Sequence, residues 1–233
     1  MTNQTRRQSR SPLNRDLISR AAVRIADEAG VALVTMRRLA KSLNIEAMSL
    51  YHHVANKADL LDCMVDQVFS EMELPQLEED WKAAMRKRAS SIRQTLTNHP
   101  WSISLANSRS NPGPETLRHS EAVLRMLRTA GFSISMAAHA FSVLDSYIYG
   151  FVLQEQTKPF DTSAELDDLS VSIFGGETEA TYPYLNELVA KHVLTHGYVF
   201  GKEFDFGLNL ILDALERRKS EEATERSPPN LAD

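Results

Sequence analysis

Residues 34–65 read VTMRRLAKSLNIEAMSLYHHVANKADLLDCMV, and the spacing within this stretch decides the fold. Thr35 is a good N-cap, and Val34 and Leu39 occupy the two positions of a hydrophobic staple, so a helix opens there. Met36, Leu39, Ala40 and Leu43 form its inner face. Asn44, a residue that tolerates the left-handed conformation of a tight turn, ends it after about two helical turns. A third helix is expected from Glu46 to about His53, with Leu50 and Val54 turned inward. Asn56 caps a fourth, with Asp59 at N3, with Leu60, Leu61, Met64, Val65, Val68 and Met72 inside, and with Pro75 marking its end. Upstream, Arg15 to Ala29 places Ile18, Ala21, Ala22, Ile25, Ala26 and Ala29 on one helical stripe, which Gly30 stops.

Two short helices joined by a tight turn, the second carrying small and polar outward residues, form a helix-turn-helix candidate. A recognition helix must fit a major groove about 12 Å wide and keep its outer side chains free for base edges and phosphates. Ala47, Met48, Ser49, Tyr51 and His52 meet that requirement, with His53 beside them. Thr35, Met36 and Arg37 lie at the start of the preceding helix, and Arg37 suits bidentate recognition of guanine or phosphate. Lys57 adds a cation to the N-terminus of the fourth helix, a ready phosphate site. Read without other information, the same residues also fit a small helical subdomain with a solvated basic face.

Charge distribution favours a polyanion as partner. Residues 1–57 hold ten Lys or Arg against four acids, a charge of +6, so of the net −5 the remainder carries −11. A basic head on an acidic body keeps the body soluble and off non-specific nucleic acid. The chain has 233 residues, 42% hydrophobic and 24% charged, which is ordinary globular composition. No uninterrupted apolar run approaches the roughly 18 residues of a membrane span, and the basic N-terminus has no apolar stretch behind it. With a single cysteine, Cys63, no internal disulfide can form, and together these features predict a cytoplasmic protein.

Beyond residue 80 the pattern is again helical, over about 80–98, a short piece after Pro100, 114–130, 133–155, Pro183 to about Thr195, and about Lys202 to Lys219. Residues 108–114 read as a loop, and 156–181 as a long acidic connection. The fold class expected is all-α, a helix-turn-helix head on a helical body. The domain reading is a disordered basic arm over 1–12, a DNA-binding domain over 13–73, a ligand-binding and dimerisation domain over 74–219, and a disordered tail over 220–233.

The quoted stretch resembles the DNA-binding domain of the TetR family of transcriptional repressors. The resemblance rests on Thr35, Arg37, Leu39, Ala40, Ser49, Leu50, Tyr51, His53, Val54, Asn56, Lys57, Leu60 and Leu61, and the family's usual turn glycine is Asn44 here. AGFSISMAAHAFSVLDSYIYGFVLQEQ (residues 130–156) and FDFGLNLILDALERR (204–218) are similar to the segments that build a four-helix dimer interface in the tetracycline-repressor branch. The resemblance implies a homodimer through the helices 133–155 and 202–219, a palindromic double-stranded operator, and release by a small-molecule effector. It also implies a pocket in the body, with drug-contact positions falling near Glu73, Arg88, Ile92, Ala106 or Asn107, Val123 and Gln154. The branch's metal-binding histidine is absent at Ala106 and Asn107, so the expected effector is not a metal-chelated tetracycline. Trp101, Phe141, Tyr147 and Phe151 complete the candidate lining, for an aromatic or lipophilic ligand.

Other chemistry is weakly signalled. His192 and His196 stand four apart on a helix, a spacing that can share a metal, but no acidic or Cys partner accompanies them and no metal or other cofactor is expected. Tyr51, His52 and His53 lack a nucleophile or carboxylate in the motif, so DNA contact is preferred over acid-base work. Cys63 is read as buried packing on the inner stripe of the fourth helix. Arg6, Arg7 and Arg10 fit a solvated tail, or an arm that follows the DNA backbone or minor groove. No Gly-rich phosphate loop, G-x-S-x-G or zinc signature supports the alternative of an all-helical enzyme or carrier.

Overall fold

The computed structural model describes residues 12–109, 112–158, 181–194 and 199–226, and these form helices joined by turns, with no strand among them. Helix α1 (Arg15–Ala29) starts at Asn14, whose side chain accepts a hydrogen bond from the Leu17 amide at 2.8 Å, and ends at Gly30 with φ 85°. A single 3₁₀ turn, Val31–Leu33, leads to α2 (Met36–Leu43) and α3 (Ala47–Leu50), followed by α4 (Lys57–Phe69). Then come α5 (Trp81–Asn98), α6 (Ser102–Ser108), α7 (Pro114–Thr129) and α8 (Ile134–Gln156). Helix α9 (Pro183–Leu188) continues into a π-helical turn, Val189–Val193, and α10 spans Gly201–Arg226.

The described residues divide into two compact units, one up to Met126 and one from Leu127. In the first, α1 packs on α4 and on α2, which packs on α3. Ile18, Ala22, Val34, Leu39, Leu50, Val54, Leu60 and Met64 are all fully buried there. Both staple residues are thus in the core, and each buried Leu contributes roughly 1.5–3 kcal/mol. In the second unit α8 packs on α10. Tyr147 stacks on Phe204 at 5.6 Å between centroids and Phe151 on Phe200 at 4.9 Å. The Tyr147 hydroxyl donates to the carbonyl of Phe204 at 2.9 Å and lies where a side chain at Gly207 would have to go.

Four expectations are corrected. The third helix is one turn, Ala47–Leu50, because the Tyr51 and His53 amides turn back to the carbonyls of Met48 and Leu50 and tighten the chain into Val54. The fourth stops at Phe69, ahead of Pro75, although Met72 stays buried beyond it. The helix expected from Pro183 loses its α pitch after Leu188. The last helix runs to Arg226, so residues 220–226 of the expected disordered tail are helical, carried by ion pairs one turn apart such as Arg218–Glu221. Helix α8 is long and apolar enough, by length and composition, to cross a membrane, and a third of that window is buried. The arm 1–11, most of the 156–181 connection and the last seven residues lie outside the described residues.

Candidate nucleic-acid interface

The head presents its polar residues because local caps hold each short helix in place. Thr35 Oγ1 accepts from the Arg38 amide at 3.1 Å and opens α2. Asn44 closes it in the left-handed region at φ 53°, ψ 52°. The Ile45 amide reaches the Ala40 carbonyl at 3.0 Å and the Asn44 amide that of Lys41 at 3.2 Å, a Schellman closure made with Asn in place of Gly. Asn56 Oδ1 accepts from the Asp59 amide at 3.0 Å and starts α4 with Lys57 at its first position.

A second device fixes the segment between α3 and α4. Arg15, from α1, donates to Asp59 Oδ1 at 2.6 Å and Oδ2 at 3.2 Å, and to the His53 carbonyl at 2.8 Å. Asp59 also accepts from the Ala55 amide at 2.7 Å. One guanidinium and one carboxylate therefore pin both ends of the turn that follows the recognition helix. The bond to Arg15 holds the Asp59 carboxyl below the usual carboxylate range, while Asp59 raises Arg15.

On this frame Thr35, Arg37, Tyr51, His52 and Lys57 are exposed, Met36, Ala47, Ser49 and His53 are half-buried, and Met48 is 72% exposed. An apolar side chain so open on α3 has nothing among the described residues to cover it, and suits contact with a thymine methyl. Leu50 and Val54, expected inward, are fully buried. Cys63 departs from its expected place. It is half-buried, with Arg15 Nη2 2.8 Å from its sulfur, and burial raises its thiol pKa, so it is no reactive thiolate.

The candidate effector residues fall in both units. Arg88, Ile92 and Val123 are buried in the first, where Trp101 is half-buried and donates from Nε1 to Asp27 at 2.7 Å. Phe151 is buried in the second, Phe141 and Tyr147 are half-buried and Gln154 is exposed. Tyr147 and Phe151 belong to the aromatic packing on α10. The side chain of Asn107 lies outside the described residues. His192 faces Glu203 at 3.3 Å, His196 lies outside, and no metal-holding cluster occurs among the described residues.

Two histidines escaped the sequence reading because their partners are remote in the chain. His99, 8% exposed, lies between Asp27 and Glu71, with Nδ1 2.8 Å from Asp27 Oδ1 and Nε2 3.0 Å from Glu71 Oε2. His119, 3% exposed, has no side-chain hydrogen-bond partner among the described residues and lies against Phe69, whose ring is edge-on at 6.3 Å between centroids. Burial first, and then the charges of Arg88 and Arg118, lower its pKa.

Comparison with known proteins agrees with this geometry. The family model for bacterial regulatory proteins of the tetR family matches residues 18–64, and that for the tetracyclin repressor-like C-terminal domain matches residues 74–219. An HTH-type transcriptional regulator of Saccharopolyspora erythraea is 38% identical over 144 residues, a match spanning 61% of each chain. The HTH-type transcriptional repressor DrrR1 of Streptomyces coeruleorubidus is 32% identical over 96% of this chain and 86% of its own. Among solved structures, ActR of Streptomyces coelicolor in complex with actinorhodin superposes with a TM-score of 0.73 at 27% identity, covering 90% of this chain and 99% of that one. With both family models matched in order, and the second alone spanning more than half its length, the chain belongs to the TetR family of bacterial transcriptional regulators and is a ligand-responsive DNA-binding protein, not an enzyme.

Proposed function

We propose that the chain is a repressor that binds a palindromic operator as a homodimer, reading it with Ala47, Met48, Ser49, Tyr51, His52 and His53 of α3 and the following turn. Thr35, Met36, Arg37 and Lys57 contact backbone and flanking bases. The observation that carries this is the open face of α3, with Met48 uncovered, held between a capped α2 and a capped α4. Residues 13–73 act as the DNA-binding domain and 74–219 as the ligand-binding and dimerisation domain, in the cytoplasm where operator DNA is met. Pairing runs through α8 and α10, whose Ile134, Val143, Leu153, Phe206 and Leu210 are exposed apolar side chains in the single chain. A dimer of this kind sets two recognition helices one turn of DNA, about 34 Å, or a multiple of it apart.

The effector reading is a small aromatic or lipophilic molecule bound by the body, whose candidate residues are Arg88, Ile92, Trp101, Asn107 and Val123 in the first unit and Phe141, Tyr147, Phe151 and Gln154 in the second. Its support is that a relative of the same fold is solved with actinorhodin and with (S)-DNPA, and that this chain lacks the metal-binding histidine of the tetracycline repressors. A micromolar thermal shift with tetracycline and magnesium would overturn that part. The operator is tested by selecting bound duplexes from a random library at two salt concentrations. Enrichment of an inverted repeat is expected, and binding without enrichment refutes specific readout.

A further inference from the structure

His99 occupies the corner between α5 and α6, and its two partners come from elsewhere in the fold, Asp27 from the last turn of α1 and Glu71 from just beyond α4. Ionised carboxylates only accept hydrogen bonds, so with Asp27 and Glu71 both ionised the two contacts are satisfied together only by an imidazolium, which donates from both ring nitrogens. The Asp27 oxygen that takes His99 also takes the Trp101 indole, and the Ser102 hydroxyl donates to the His99 carbonyl at 2.6 Å. The ring is therefore held between two carboxylates, and the His99 backbone is tied to the start of α6.

Charges around it are few. A cavity of about 570 Å³ beside the ring is lined by Asp16, Arg20, Arg24 and Asp27 of α1 and by Glu71 and His99. Asp16 pairs with Arg20. That leaves Asp27 and Glu71 against Arg24, a set that protonated His99 makes neutral. On the far side Glu71 borders a groove with Glu73, Arg86 and Lys87, and Trp101, just ahead of α6, contributes a neutral indole. Burial alone would lower the pKa of His99, but the hydrogen bonds and charges of Asp27 and Glu71 outweigh it and raise it.

We propose that His99, bridging Asp27 and Glu71 as an imidazolium, is a positioning residue that holds α1 of the DNA-binding head against the α5–α6 corner, so that operator affinity falls when the bridge loses its proton. Neutral imidazole has one donor, so one carboxylate then faces a lone pair and the tie between α1 and the corner slackens. With a folded pKa raised above the ordinary value of about 6.5, the contribution is complete below that value and disappears as pH rises through the folded one. The inference rests on the operator-binding reading above.

The test is fluorescence anisotropy of the full chain on its selected operator between pH 6 and pH 9 at fixed ionic strength, for wild type, His99→Gln and Glu71→Gln. The recognition surface is the same in every variant, so the difference between slopes reports His99. Wild type is expected to lose about three- to tenfold more affinity across this range than His99→Gln, an amount that corresponds to a pKa difference of up to about one unit between bound and free head. Glu71→Gln, which keeps the Asp27 contact and changes an exposed carboxylate, should show an intermediate slope even if His99→Gln folds poorly. Parallel slopes for all three, with wild type binding well, overturn the bridge. Absence of operator binding by wild type refutes the operator reading instead, and ¹⁵N titration of the His99 ring then decides the bridge. Deprotonation at or below about 6.5 overturns it, and a protonated ring well above that value supports it.

Discussion

Replacing Arg15 by Ala removes the brace behind the recognition turn, and its cost can be worked from the contacts. The ion pair with Asp59 is short and forked, but Arg15 is 54% and Asp59 27% exposed, which places it near the upper end of the roughly 0.2–1 kcal/mol of surface pairs. The hydrogen bond to the His53 carbonyl adds about 0.5–1 kcal/mol. Urea unfolding followed by circular dichroism should therefore show a loss of about 1–2 kcal/mol. If the same energy holds the turn in its DNA-reading form, operator affinity falls by a factor of about 5–30. Arg15→Lys should recover only part, since one ammonium cannot span Asp59 and the carbonyl together. The depressed Asp59 pKa fixes the sign of the pH dependence. Its share is present above the ordinary carboxylate value of about 3.9 and lost as pH falls through the folded value, so the deficit of Arg15→Ala shrinks in acid. A double-mutant cycle with Asp59→Ala that gives no coupling, or a deficit unchanged at low pH, refutes the reasoning.

Other outcomes follow from single residues. Asn44→Ala should destabilise the head by about 1 kcal/mol, the cost of a left-handed Cβ, while Asn44→Gly should leave the melting temperature unchanged or higher. Lys57→Ala should weaken binding to all duplexes alike and lower the salt slope by about one. Arg37→Ala should in addition relax base preference, as repeated selection would reveal. His119→Phe should be neutral or stabilising at pH 7 by thermal melting, because the ring is buried with no side-chain hydrogen-bond partner among the described residues. The lowered pKa of His119 means that wild type loses stability as pH drops below about 6.5 and the variant does not share that loss.

Much of the head was legible because its signals are local. Thr35, Asn44 and Asn56 act on amides or carbonyls within five residues, and each makes the cap its type suggests. The stripe of α1 was equally plain. What escaped were contacts between distant parts of the chain. His99 is 72 residues from Asp27 and 28 from Glu71, and neither carboxylate stands out in a segment rich in charge. Cys63 was assigned to the core by helical spacing alone, which cannot tell that Arg15 crosses α4 at its sulfur. The α3 boundary failed because one helical turn and a tight turn share the same residue preferences. The extension of α10 failed because acidic composition suggested a free tail, whereas pairs such as Arg218–Glu221 and Lys219–Glu216 sustain a solvated helix. Candidate DNA contacts were visible as the residues left over once the inward set was assigned. The effector residues had no such complement, since a pocket is defined by the space between elements.

The Tyr147 hydroxyl, seated in the notch left by Gly207, acts as a key in a keyway. It bonds to carbonyls of Glu203 and Phe204 within α10 itself, so it grips the backbone and not a rotatable side chain. Sliding α10 by one turn would bring a bulkier residue, Ile211 or Glu203, to the notch and break both bonds. The two helices are thereby indexed to one register and travel as a single strut. A force applied to either end of α8 is delivered to α10 without slip, and substitutions that enlarge Gly207 should decouple the pair before they unfold either helix.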